Sequence, residues 1–101
     1  ILKENKGDAI EPVTLLRIGK IYENMGDTAS ALANYKQILD NFKECIYIDE
    51  ALFFSAEIYN QLKEPEKAKP LYEEIITKHP DSIYYVTAQK KYRQLRGDKD
   101  I

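Results

Sequence analysis

Cysteine and histidine occur once each in the 101 residues, as Cys45 and His79, tryptophan is absent, and the charges nearly cancel. A single cysteine excludes an internal disulfide and any cysteine-based metal cluster. One histidine beside it leaves too few soft ligands for a structural zinc site, so no cofactor is expected. Lysine and arginine number 15 against 17 acidic residues, a formal charge of −2. That mixture offers neither the concentrated basic surface that nucleic acid selects nor a polybasic membrane patch. No apolar run approaches the roughly 20 residues that cross a bilayer, so direct membrane insertion is not expected. The chain opens on Ile1-Leu2-Lys3-Glu4-Asn5, which is neither a methionine start nor a secretory signal. It reads as a trimmed or mature piece of a longer parent.

What is present suits a modest folded core. Hydrophobic residues make up 44%, too many for a disordered chain. Eight tyrosines and three phenylalanines must mostly pack against something. They recur at a fixed offset of 37 residues. Leu15 and Leu52, Ile21 and Ile58, Tyr22 and Tyr59, Ala31 and Ala68, Tyr35 and Tyr72, and Ile38 and Ile75 are identical pairs at that spacing. A third copy begins where Cys45-Ile46-Tyr47 lines up with Ser82-Ile83-Tyr84 and Ala51 with Ala88. Such internal repeats indicate an array of small supersecondary units.

Helical periodicity divides each unit into two helices. Val13, Leu15, Leu16, Ile18, Ile21, Tyr22 and Met25 make the first stripe, which Gly26-Asp27 interrupts. Asp27 or Thr28 caps the next helix, whose apolar face carries Ala31, Leu32, Tyr35, Ile38, Leu39 and Phe42. Pro12 and Pro65 suit first helical positions. Pro70, inside a helix, predicts a kink. The last helix is predicted over about 82–96, stopped by Gly97. The expected organisation is a polar tail at 1–8, a first unit at 9–44, a second at 45–81, the terminal helix of a third at 82–97, and a tail at 98–101.

These residues resemble the tetratricopeptide repeat. The resemblance rests on Leu15, Ile18-Gly19, Tyr22, Gly26, Ala31, Tyr35 and Ile38, then on Leu52, Ser55-Ala56, Tyr59, Ala68, Tyr72, Ile75 and Pro80. It implies an all-α fold, a right-handed α-solenoid, that binds proteins and is not an enzyme. Departures are Ile38 and Ile75 where a second Ala is usual, Lys43 where Pro is usual, Ser55-Ala56 for Leu-Gly, and a period longer than 34. Longer units that end in a His-Pro-Asp-Ser-like turn resemble those of bacterial envelope proteins, such as outer-membrane-assembly lipoproteins and Tol-Pal coordinators. That finer resemblance implies the periplasm or cell envelope.

The resemblance also implies a concave groove lined by the first helix of each pair. Its positions fall on Val13, Leu16, Lys20, Glu23 and Asn24, then on Glu50, Phe53, Glu57, Asn60 and Gln61, then on Thr87, Lys90 and Gln94. Leu16 and Phe53 are the apolar anchors, unless they simply complete the core. Some relatives hold a chaperone's C-terminal carboxylate with a fixed set of Lys, Asn and Arg; at the matching places this chain has Leu16, Lys20 and Phe53, so that clamp is not expected. An extended peptide or a partner helix fits the mixed surface.

Cys45, at a predicted helix start, and His79 are one repeat apart, too far to act as nucleophile and base. Cys45 is a small residue in the slot of Ser82. Glu73-Glu74 and Glu64-Pro65-Glu66 read as solvated charge runs. Arg96-Gly97-Asp98 spells an integrin-type tripeptide but reads as a helix cap and tail. Lys90, Lys91, Arg93 and Arg96 make the last helix basic. Its apolar Ile83, Tyr84, Tyr85, Ala88, Tyr92 and Leu95 cannot all be covered from one side, which leaves dimerisation through this terminal helix as the alternative function.

Overall fold

The computed structural model describes residues 11–97, so the expected tails at 1–8 and 98–101 lie outside the described residues. Five helices follow in order: α1 (Pro12–Asn24), α2 (Thr28–Asn41), α3 (Ile48–Gln61), α4 (Pro65–Lys78) and α5 (Tyr85–Arg96). Among the described residues there is no strand, and each helix packs on the next. The fold is an all-α helical repeat.

Local chemistry sets the helix ends. Pro12 and Pro65 open α1 and α4, where the missing N–H would have had no partner anyway. Asp27 is the cap of α2: its carboxylate accepts from the Ser30 amide at 3.1 Å and from the Ser30 hydroxyl at 2.8 Å. Gly26 and Lys63 stand at the same position of the two units, and both take positive φ, 84° and 62°. In each turn the following amide reaches back five residues, Asp27 to the Tyr22 carbonyl and Glu64 to the Tyr59 carbonyl, both at 2.8 Å. These bonds satisfy helix-end carbonyls in the manner of a Schellman turn. Gly97, at φ 93°, ends α5.

Two local expectations change, at the start of α5 and at Cys45. α5 begins at Tyr85 because the Ser82 hydroxyl accepts from the Tyr84 amide at 3.0 Å, which holds residues 82–84 in a turn. Cys45 is not at a helix start. It sits in the turn before α3, where its carbonyl accepts from the Ile48 amide at 3.3 Å. At Pro70 the helical backbone continues to Lys78. The carbonyl deprived of a donor belongs to Glu66, on the exposed first turn, where water can replace the lost bond.

Two core clusters run along the array. Leu15, Leu16, Ala31, Tyr35, Ile38, Ile48, Ala51 and Ile58 form the first, and Leu52, Ala56, Ala68, Tyr72, Ile75 and Ala88 form the second. Each second helix is thus wedged between two first helices, α2 between α1 and α3 and α4 between α3 and α5. Tyr35 and Tyr72 are the largest fully buried side chains, at 0% exposure.

The absence of a side chain at Gly19 makes room for Tyr35. A Cβ built there would lie 2.5 Å from Tyr35 Cε1 and 2.9 Å from Cζ, inside any real carbon contact. Gly19→Ala is therefore expected to lower stability by about 1–2 kcal/mol, since overpacking outweighs the helix propensity that alanine adds. Urea unfolding of this variant beside Ala56→Gly tests the point. A neutral or stabilising Gly19→Ala would show that the ring has space to move.

Candidate functional site

The first helices α1, α3 and α5 share one face, and polar contacts stitch them together. Lys20 of α1 places its ammonium 4.0 Å from the centroid of the Phe54 ring on α3, a cation–π contact. Lys91 of α5 lies 3.8 Å from the Glu57 carboxylate on α3. Tyr84, in the turn before α5, sets its hydroxyl 3.4 Å from Glu50 at the start of α3.

Beneath this face the buried tyrosines reach out from the core. Tyr35 donates to Glu23 Oε2 at 2.5 Å, and Tyr72 donates to Glu57 Oε2 at 2.5 Å. Each carboxylate in turn meets a lysine: Lys20 is 3.6 Å from Glu23, and Lys91 is the neighbour of Glu57. A tyrosine–glutamate–lysine chain is therefore built twice, from different positions. Glu23 precedes Tyr35 by 12 residues, whereas Glu57 precedes Tyr72 by 15, one helical turn further back. Burial, then the hydrogen bond and negative charge of the facing glutamate, raise both phenol pKa values well above the usual tyrosine value. Tyr84 is raised by burial first and then by Glu50.

Aromatic rings form the apolar part of the face. Phe53 stacks on Tyr84 with centroids 4.4 Å apart and 18° between planes, and meets Tyr72 edge-on at 6.1 Å. Phe54 packs against the first core cluster, 5.8 Å from Tyr35, and meets Tyr84 edge-on at 6.0 Å.

Of the residues expected in the groove, Lys20, Glu23, Glu50, Phe53 and Glu57 take part in this network. Leu16 does not offer an anchor: at 8% exposure it belongs to the first core cluster. Val13 and Asn60 are half-buried, while Asn24, Gln61, Thr87, Lys90 and Gln94 are exposed. The α5 contact to α3 comes from Lys91 rather than from its neighbour Lys90. Phe54, Tyr84 and Lys91 were not among the expected positions. The doublet Phe53-Phe54 was the available signal, because two adjacent aromatics on one helix cannot both point into the same core.

Other concavities lie elsewhere. Cys45 and His79 line an opening of about 440 Å³ between the two inter-unit turns, together with Lys43, Ile46 and Ser82. A neighbouring one of about 460 Å³ is floored by Leu39, Ile48, Leu52 and Leu71. Among the described residues no group of His, Cys, Asp and Glu could hold a metal ion, and no helix is long and apolar enough to cross a membrane.

Comparison with known proteins supplies the family. The pattern of the tetratricopeptide repeat matches residues 14–44 and 50–82, more than half of the chain. No curated protein and no solved structure matched it. Two matched units, each a helix pair with a buried tyrosine at the same place, leave one assignment: the chain belongs to the tetratricopeptide repeat family.

Proposed function

We propose that this chain binds an extended peptide segment of a partner protein across the face shared by α1, α3 and α5. Tetratricopeptide repeats generally mediate protein–protein interactions. The observation that carries the finer reading is the Lys20–Phe54 and Lys91–Glu57 stitching, which sets charges of both signs around an aromatic platform. Lys20 remains 44% exposed while held over the ring, so it can meet a carboxylate without first being ordered. Asn60 and Gln61 provide amides that can both donate to and accept from a peptide backbone. An apolar side chain of the peptide would rest against Phe53 and Phe54.

Peptides selected from a random displayed library on the folded chain provide the test. Lys20→Ala combined with Asn60→Ala is expected to weaken a selected peptide at least about tenfold, about 1.4 kcal/mol, with the helical circular dichroism unchanged. Lys36→Ala, on the exposed side of α2, should leave binding as it was. Equal binding by all three proteins would refute the proposed face.

Self-association through α5 has less support. Gln89 and Arg93 interrupt its outward surface at the positions where α3 carries Leu52 and Ala56. The longer-period resemblance to envelope proteins keeps the periplasm as the proposed compartment; the family match concerns the repeat itself.

A further inference from the structure

Ser55 is a buried polar residue without a partner. On α3 it is 3% exposed, and among the described residues its hydroxyl makes no hydrogen bond. A hydroxyl inside a helix commonly bonds back to a carbonyl one turn earlier. Thr77 of α4 does so, its hydroxyl donating to the Glu73 carbonyl at 3.0 Å. Ser55 instead bears the cost of burial without the bond that normally offsets it.

The repeat shows what is missing beside it. The residues 37 before and 37 after Ser55 are Ile18 and Tyr92, both large. Tyr92 of α5 packs against the second core cluster at the position that Ser55 holds on α3. Where serine stands instead, an opening of about 180 Å³ lies between α2, α3 and α4. Ser55 lines it together with Leu32 and Leu39 of α2 and Leu71 of α4. Lys36 and Asp40 line it as well, but they pair with each other at 3.1 Å and so bring no net charge.

Size, polarity and charge together define the guest. An apolar cavity of about 150 Å³ holds a benzene ring, so this opening admits one six-membered ring with a small substituent. Water could meet the serine but would leave the leucine walls hydrated, whereas a ring covers them. The Ser55 hydroxyl can donate or accept, which suits a hydroxyl on that ring. The mutually neutralised Lys36 and Asp40 leave no charge to offset that of an ionised head. A phenol meets all of these conditions, and a phenol, Tyr92, is what the next interface carries at the same position. We propose that the opening between α2, α3 and α4 is a binding site for a neutral phenol, whose hydroxyl pairs with Ser55 and whose ring lies among Leu32, Leu39 and Leu71. A free phenol and the tyrosine side chain of a partner protein present the same chemistry. The site is walled by the second helices and is independent of the peptide-binding face.

Two probes test it: p-cresol, which is the tyrosine side chain alone, and toluene, the same ring without the hydroxyl. Titrated into the ¹⁵N-labelled chain, p-cresol is expected to give saturable amide shifts around Leu32, Leu39, Ser55 and Leu71. Its affinity should exceed that of toluene at least about fivefold, the effect of one hydrogen bond. Ser55→Ala keeps the space and should remove that preference. Ser55→Ile, which places on α3 the side chain that α1 carries as Ile18, should abolish saturation by both probes. Should Ser55→Ile fail to fold, the two probes compared on the native chain and on Ser55→Ala decide the matter. Equal affinity of p-cresol and toluene for the native chain would overturn the proposal. So would unchanged binding by a folded Ser55→Ile, or an absence of saturable shifts, which would leave the opening to water. The peptide Gly-Tyr-Gly separates the two sources. Displacement of p-cresol by this peptide assigns the site to a partner's tyrosine, and p-cresol binding without such displacement assigns it to a free phenol; both results uphold the site.

Discussion

Tyr35→Ala is expected to lower the free energy of unfolding by about 3–5 kcal/mol, the cost of emptying a large aromatic site in a core. Tyr35 is at 0% exposure, its ring lies on Gly19, and Phe54 packs beside it at 5.8 Å. The helices α1 and α2 meet around this ring, so little is available to collapse into the space. Domains of this size have total stabilities of about 5–15 kcal/mol, and a loss on that scale leaves a substantial unfolded fraction. Tyr35→Phe keeps the ring and removes only the hydrogen bond to Glu23, for about 1–2 kcal/mol. Urea unfolding of the two variants separates packing from hydrogen bonding. Equal losses would mean that the hydroxyl, not the ring, holds the pair of helices together.

The second large effect is loss of stability in alkali. Tyr35 and Tyr72 have pKa values raised in the folded chain, first by burial and then by Glu23 and Glu57. In the unfolded chain a tyrosine titrates near about 10. Above that pH the unfolded chain has released protons that the folded chain retains, so unfolding becomes more favourable as pH rises. The stabilisation is complete below about pH 10 and then falls by up to about 1.4 kcal/mol per pH unit for each tyrosine, about 2.7 for the two. Tyr84, raised in the same direction, adds to the loss. Urea midpoints measured from pH 9 to 11 check this. Combining Tyr35→Phe with Tyr72→Phe should flatten the dependence, whereas an unchanged slope would assign the alkaline transition to other groups.

The fold was legible in the sequence because its core obeys the 37-residue offset. The six identical pairs include Tyr35 with Tyr72, Ala31 with Ala68 and Ile38 with Ile75, all at 0% exposure. Burial constrains residue type, so these positions repeat. The turn between helices was less plain, since Lys63 adopts the left-handed conformation for which Gly26 is the natural choice. Side-chain hydrogen bonding at the end of a helix hid the true start of α5, because nothing in Ser82-Ile83-Tyr84 distinguishes a helical turn from the Ser82–Tyr84 bond.

The candidate face was legible only in part, for a related reason. At the 37-residue offset Lys20 pairs with Glu57 and Glu23 with Asn60, which looks like a surface without a rule. The rule is spatial: each buried tyrosine needs a carboxylate, and each carboxylate is met by a lysine. A glutamate reaches the phenol from either of two successive turns, so Glu23 and Glu57 do the same work at different register. Lys91 reaches Glu57 from the neighbouring unit, whereas Lys20 meets Glu23 within α1. Leu16 shows the opposite failure, because a groove position inherited from the family became core next to Ile38 and Ile48.

Titration of the ¹⁵N-labelled chain with a library-selected peptide, followed residue by residue through its amide chemical shifts, tests the proposed binding face most directly. Binding across α1, α3 and α5 predicts that the perturbed amides gather around Lys20, Glu23, Phe53, Phe54, Glu57, Asn60 and Lys91. Perturbations gathered instead at residues 43–48 and 78–82, around the opening between the inter-unit turns, would contradict it.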